Sequence, residues 1–305
     1  MDVRQLAAIV AVADHGTFSA AARALYTVQS NVSGHVAKLE QELGTTLVDR
    51  STSTMTEEGL RVVERARRVL HDIDDIAADI ASVADDVSGE ARIGAIGTTA
   101  RWLWPQILRE ITQRHPKIRP LISEGSTTTI VPAVIAGQLN GAIVHLPIDD
   151  PELVVEPLFS EELFLLAPAD HPLAAFEEMT LDQLHDVPLL LPPKGVALRR
   201  VLDRAAGAAG FTLRPQAEID GVRLLAALAF DGFGAAIVPA TAAPRDWSGD
   251  FRRIAVPELP GRVVAWVRRR RPAPNAATNA FTILLKELIA EHAPQQPGIA
   301  VYEAD

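Results

Sequence analysis

Apolar residues at the start of the chain recur at spacings of three and four. Leu6, Ile9 and Ala13 follow this rhythm behind Asp2, which stands in a capping position, and predict a first short helix. After a break at His15-Gly16, Ser19 is placed to cap an alanine-rich second helix in which Phe18, Ala22 and Leu25 face inward. A third helix is predicted from Gln29 to Leu43, with Val32, Val36, Leu39 and Leu43 as its buried stripe and Gly44 at its C-terminal end. Two short helices about the turn Tyr26-Thr27-Val28 make a helix-turn-helix. Thr46 to Met55, rich in Thr and Ser, predicts a β-wing, and Thr56-Glu57-Glu58-Gly59 opens another helix.

That next helix carries the clearest pattern. Val63, Ala66, Leu70, Ile73, Ala77, Ile80, Ala84 and Val87 alternate spacings of three and four, as the a and d positions of a coiled coil do. Charged residues flank them (Arg61, Glu64, Arg65, Arg67, Arg68, Asp72, Asp74, Asp75, Asp79), so the stripe reads as a dimer seam through Val63, Leu70, Ile73, Ile80 and Val87. The alternative is one amphipathic helix packed on its own domain.

From Ser88-Gly89 the period changes. Strands are predicted at Ala91–Ile96, Arg119–Ser123 and Gly141–His145. Between them lie a turn at Thr98-Thr99, a helix from Arg101 to Arg114, a loop at Ser126–Thr129 and a helix from Val131 to Ala136. A second set follows: strands at Glu161–Pro168, Pro188–Leu191, Gln216–Ile219 and Ala235–Val238, helices at Val196–Ala209 and Val222–Ala229, then a strand at Val263–Arg269 and a helix at Asn279–Glu291. Such alternation implies βαβ units and a parallel sheet. The expected division is a winged helix-turn-helix over 1–59, a linker helix over 60–88 and an α/β domain over 89–293. Within the last, one subdomain takes 89–162 with 267–293 and the other takes 163–266; residues 294–305 are left as a flexible tail.

The chain has 305 residues, enough for about two domains, and its 48% apolar and 22% charged residues are an ordinary globular mix. It has no cysteine, which rules out disulfides, thiolate nucleophiles and thiolate metal sites. The uncharged run Gly125–Ile148 contains Pro132, Gly137, Asn140 and His145, a poor fit to a membrane span, and no basic-then-apolar leader opens the chain, so a cytoplasmic protein is expected. No HExxH, GxSxG or P-loop is present and the eight His are scattered, so no enzyme, metal or cofactor is expected. A net charge of −10 gives no support to nucleic-acid binding, which must then rest on local placement.

Four segments in order resemble the LysR-type transcriptional regulators. They are Phe18-Ser19-Ala20-Ala21-Ala22-Arg23-Ala24-Leu25; Thr27 to Gly44; Leu47-Val48-Asp49-Arg50 with Met55-Thr56-Glu57-Glu58-Gly59; and Pro157-Leu158-Phe159, Leu166-Ala167-Pro168 and His171-Pro172-Leu173. The resemblance covers nearly the whole chain. It implies an α+β multidomain fold: a winged helix-turn-helix, a dimerising linker helix, and two α/β subdomains like a periplasmic binding protein with an effector cleft between them. It also implies operator DNA, a small-molecule effector and RNA polymerase as partners, in a homodimer or homotetramer. The chain departs from the family at Val48, where a phenylalanine is frequent, at Gly34, and at the uncharged Ser51-Thr52-Ser53-Thr54, where basic residues are common. Fewer phosphate contacts and a low non-specific affinity are therefore expected.

The start of a recognition helix reads the major groove. Gln29 has the bidentate geometry for adenine, and Ser30, Asn31 and Ser33 reach base edges or phosphate, unless they bond their own backbone. His35 shares that exposed side, with Ser19 and Thr27 nearby. Arg23, Lys38 and Arg50 are candidate phosphate clamps, Arg50 alternatively an arm into the minor groove. Effector contacts are expected beyond the carboxyl ends of strands, at Thr98, Thr99, Ser126, Thr127, Thr128, His145, Lys194, Gly195, Val196, Asp220, Val222 and Arg223. Hydroxyls and helix N-termini facing one cleft suit a carboxylate or another small anion, with Lys194 and Arg223 to neutralise it; caps and solvated charges are the plain alternative. A receptor without DNA function would have no use for residues 1–59, and an enzyme with a fused helical segment would turn over small carboxylates.

Overall fold

The computed structural model describes residues 1–52, 54–81, 87–243 and 250–302. The helix behind Asp2 is α1 (Val3–His15), and Asp2 Oδ1 accepts from the Gln5 N–H at 2.9 Å. The cap of α2 (Phe18–Ala24) is Thr17, whose Oγ1 accepts from the Ala20 N–H at 3.1 Å; Ser19, expected in that role, already lies inside the helix. Val32, Val36 and Leu39 of α3 (Gln29–Leu43) share one core with Ile9, Val12, Ala21 and Ala22. Leu25 and Leu43, expected inward, stay exposed because each falls where its helix runs past that core. The wing is a pair of two-residue antiparallel strands, β1 (Val48–Asp49) and β2 (Thr54–Met55), with Val48 opposite Met55.

The long helix is α4 (Glu57–Ala81). Thr56 Oγ1 accepts from the Gly59 N–H at 3.0 Å, and a Cβ at Gly59 would lie 2.0 Å from the Leu47 carbonyl oxygen, so only glycine lets the helix start this close to the wing. The expected seam divides here. Val63 and Ala66 are buried in the core of the N-terminal domain, and Leu70 packs half-buried on the same cluster. Val87 packs against the core of the following domain. Ala84 lies outside the described residues, as do the side chains of Ala77 and Ile80. Val63 and Val87 are thus taken up within their own chain, because the stripe they begin and end faces the domains at either end of the helix. Ile73 of the expected seam stays exposed, and so do Val69 and Ile76 on either side of it, Ile76 to 64%. The domain core therefore continues past residue 59 into α4.

The α/β part has two mixed sheets rather than one parallel sheet. The first subdomain contains β3 (Gly89–Ile96), α5 (Gly97–Arg114), β4 (Ile118–Gly125), α6 (Thr127–Ile135), β5 (Gly141–His145) and β6 (Leu153–Glu161). The second contains β7 (Leu163–Pro168), β8 (Pro188–Leu191), α7 (Ala197–Ala208), β9 (Arg214–Glu218), α8 (Val222–Phe230), β10 (Ala235–Pro239) and β11 (Phe251–Ala255). The chain then returns to the first with β12 (Arg262–Arg269), α9 (Ala276–His292) and β13 (Ile299–Val301). The first sheet runs β13-β6-β12-β5-β3-β4 and the second β11-β7-β10-β8-β9. Parallel pairs β3–β4, β3–β5, β8–β9 and β8–β10 sit beside antiparallel ones in which β12 lies between β5 and β6.

Several boundaries move. All of β12 from Arg262 pairs with the first sheet, so the return comes before residue 262 and not at 267; a strand's partners, not its own pattern, decide this. The expected loose tail holds β13, antiparallel to β6, and Gln296 is buried with its Nε2 donating to the carbonyls of Ala240 and Ala243 at 2.9 Å. Helix α5 begins at Gly97 and α6 at Thr127, so Thr98-Thr99 and Thr127–Thr129 belong to first helical turns and not to a turn or loop. No helix among the described residues is long and apolar enough to cross a membrane.

Candidate nucleic-acid interface and effector cleft

Residues Gln29, Ser30 and Asn31 open α3 and are exposed, beside exposed Ser19 and Arg23 of α2. Ser19 Oγ donates to Gln29 Oε1 at 3.4 Å, and Asn31 Nδ2 donates to Thr27 Oγ1 at 2.9 Å, so the turn orders the side chains around it. Ser33 and His35 are half-buried and Lys38 is exposed. Arg50 is not a loose arm. Its Nη1 donates to Ser33 Oγ and its Nη2 to Glu40 Oε2, both at 3.3 Å, and its guanidinium carbon lies 5.8 Å from the Phe18 ring centre. Glu40, absent from the expected set, organises this corner: its Oε1 accepts from the N–H groups of Leu47 and Val48 at 2.8 and 3.2 Å, tying the wing to α3. Tyr26 is 98% exposed in the turn with φ 51°.

Three helices of the α/β part begin without a side-chain cap, α5 after Ile96, α7 after Val196 and α8 after Gly221, and the starts of α5 and α8 come together across the two subdomains. Their first N–H groups carry the positive end of the helix dipole and suit an anion. Thr98 and Thr99 are buried in the first turn of α5, and Thr99 Oγ1 has no hydrogen-bond partner. Ser126 and Thr128 share a hydroxyl contact at 2.8 Å, and Thr127 Oγ1 accepts from the His145 N–H at 3.1 Å, which joins the ends of β4 and β5. On the other side, Lys194, Gly195, Asp220 and Arg223 are exposed and Val196 and Val222 half-buried at the starts of α7 and α8. Arg223 reaches across to Glu124, Nη1 to Oε2 at 3.0 Å.

At the crossing of the chain lies a buried group of charges. Glu161 Oε1 accepts from Arg262 Nη2 at 2.5 Å and lies 3.3 Å from His145 Nε2, while its Oε2 accepts from Thr241 Oγ1 at 2.8 Å. Burial alone would raise the Glu161 carboxyl, but the Arg262 charge, with hydrogen bonds from His145 and Thr241, overrides it and brings the group down to about 2. For His145, burial leads and the Arg262 charge adds to it, outweighing Glu161 and lowering the imidazole to about 4. His145 is therefore a neutral member of this cluster near pH 7. Among the described residues no group of three His, Asp or Glu could hold a metal ion.

The N-terminal domain, residues 3–60, matches the family described as bacterial regulatory helix-turn-helix protein, lysR family, and residues 84–290 match the LysR substrate binding domain. The chain belongs to the LysR family. It is a DNA-binding transcription regulator with an effector-binding domain, and its relatives are regulators rather than enzymes. It is 31% identical over 296 residues to a probable hydrogen peroxide-inducible genes activator of Streptomyces viridosporus, covering 94% of each chain. It is 30% identical over 258 residues to the DNA-binding transcriptional dual regulator OxyR of Escherichia coli strain K12, covering 82% of this chain and 83% of that one. A full-length OxyR variant from Pseudomonas aeruginosa superposes with a TM-score of 0.73 at 25% identity, covering 100% of this chain and 99% of that chain. CbnR in complex with its target DNA shares the fold, with a TM-score of 0.72 at 23% identity, covering 96% of this chain and 100% of that chain. The winged helix-turn-helix, linker helix and two-subdomain effector domain thus form one family architecture.

Proposed function

We propose that this regulator is a cytoplasmic homodimer or homotetramer that binds an operator through α3 and answers to a small anionic effector held between its subdomains. The observation that carries the effector reading is the pair of uncapped helix starts, α5 of one subdomain and α8 of the other, that come together with Arg223 between them. Effector binding would favour one arrangement of the subdomains over another and so change DNA bending and contact with RNA polymerase. In this reading α4 meets its copy through exposed Val69, Ile73 and Ile76, of which Ile73 belongs to the expected seam. That places two recognition helices on one interrupted palindrome, about 34 Å apart.

The relatives named as hydrogen peroxide-inducible activators raise a second reading, peroxide sensing. This chain has no cysteine, so oxidation through a sulfenate or disulfide has no residue to act on. An effector bound non-covalently is the reading that its residues support.

The test is binding of the purified full chain to DNA upstream of its own gene, titrated at moderate salt against a scrambled competitor. Specific retardation that is lost in Gln29→Ala supports the operator role of α3. A folded dimer with no specific complex, before or after addition of small carboxylates, would overturn it.

A further inference from the structure

Glu124 is the last residue but one of β4, and its carboxylate faces Arg223 of the second subdomain. It sits against the first turn of α5: a Cβ on Gly97 would lie 2.8 Å from Glu124 Oε1 and 3.5 Å from Arg223 Cδ. The other oxygen, Oε2, is 3.0 Å from Arg223 Nη1, and Arg223 is the second residue of α8. One carboxylate of the first subdomain therefore lies beside the first residue of α5 and pairs with a guanidinium carried by the first turn of α8. Those are the features that attract an anion, and here the chain supplies the anion itself.

We propose that Glu124 is an internal stand-in for the anionic group of the effector. In the free protein it occupies Arg223 and ties the subdomains across the cleft mouth. An arriving anion takes over Arg223, Glu124 is released, and the tie between subdomains is exchanged for one that runs through the ligand. Gly97 leaves room for the pair, since a Cβ there would lie 2.8 Å from Glu124 Oε1 and the carboxylate would have to shift. The exchange also sets a threshold. Both side chains of the pair are partly exposed, 53% for Arg223 and 40% for Glu124, so competition by Glu124 weakens anion binding moderately and leaves the cleft responsive. This inference rests on the anionic-effector reading.

The two are separated by titrating the full chain with sodium sulfate at constant ionic strength, balanced with sodium chloride, and following its melting temperature. Glu124→Gln keeps the shape and removes the competitor. Its half-saturating sulfate concentration should fall by about two- to fivefold relative to the parent, the factor that an exposed ion pair is worth. Arg223→Gln should abolish the saturable shift in either background. An equal response of the parent and Glu124→Gln, with loss only in Arg223→Gln, would overturn the stand-in role while keeping the anion site. A sulfate response that is absent from the parent and Glu124→Gln, or unchanged in Arg223→Gln, would overturn both.

Discussion

The guanidinium of Arg262 donates to the carboxylate of Glu161 at 2.5 Å at the place where β6 ends and β12 begins. These are the two strands through which the chain leaves the first subdomain and re-enters it. Thr241, from the second subdomain, bonds the other carboxylate oxygen at 2.8 Å, so one buried anion pins the crossing. Removing it with Glu161→Ala leaves Arg262 charged, buried and unpaired. The expected cost is about 3–5 kcal/mol in urea unfolding, and Glu161→Ala/Arg262→Met should recover part of it. A single variant within 1 kcal/mol of the parent would remove the pin from the account.

The same cluster sets an acid limb. His145 has an ordinary value of 6.5 and is lowered to about 4 in the folded chain, so between those values the unfolded chain binds a proton that the folded one refuses. Stability therefore falls as pH drops from 6.5 toward 4. Glu161, with an ordinary value of 4.5 and about 2 when folded, adds a second loss as pH falls from 4.5 toward 2. In urea midpoints measured across pH, His145→Gln should flatten the limb between 6.5 and 4, while the lower limb, set mainly by Arg262 against Glu161, persists. A profile identical to the parent's would mean that another group titrates there.

At the base of the wing, Gly59→Ala must push the Leu47 carbonyl away, because the new methyl would sit 2.0 Å from that oxygen. A loss of about 1–3 kcal/mol is expected for the N-terminal domain. All four Trp lie beyond residue 100, so far-ultraviolet circular dichroism is the probe of choice. Weaker operator binding should accompany the loss.

Arg50 is shared with Glu40, which sharpens a division of roles in DNA binding. Gln29→Ala should relax base preference, and Arg50→Ala should weaken all sequences alike and lower the salt slope by about 1. Glu40→Gln should do the reverse of the latter, freeing Arg50 and raising non-specific affinity. Fluorescence anisotropy at several salt concentrations measures all three, and equal loss of discrimination in Gln29→Ala and Arg50→Ala would dissolve the distinction.

Ile76→Asp should turn the dimer into a monomer in sedimentation velocity without changing the melting of either domain, since the side chain is 64% exposed within one chain. Val63→Asp should instead unfold the N-terminal domain, in whose core Val63 is buried.

Local features were legible in the sequence and non-local ones were not. Periods of three and four placed α1, α3 and α4, and the Thr/Ser stretch before Met55 marked the wing, because each depends on neighbours in sequence. Strand β13 and the true return at Arg262 depend on partners far along the chain, and Ile299–Val301 has no pattern of its own to announce a sheet. That Val63 is buried while Ile73 of the same stripe stays exposed follows from what the N-terminal core covers, which spacing alone leaves undecided. The starts of α7 and α8, with Arg223 in the first turn of α8, followed from the pattern, whereas α5 and α6 each begin four residues before the expected Arg101 and Val131. Glu124, Glu161 and Glu40 were missed, since a carboxylate at a strand end or inside a helix belongs to no motif. Of the adjacent acids Glu161 and Glu162, set between Phe159 and Leu163, only the first is buried, and the sequence does not say which.

The interleaving of the subdomains also fixes an order of events at the ribosome. The second subdomain is one uninterrupted stretch from β7 to β11 and has all its strands in hand while β12, α9 and β13 are still unsynthesised. The first subdomain must wait with β5 and β6 apart, because β12 belongs between them. Until then the nascent chain displays two bare strand edges beside a finished neighbour and an already foldable N-terminal domain. The cleft comes into being only when the last of the three is complete, so a chain interrupted before Arg262 would hold the means to read DNA without the means to be told when.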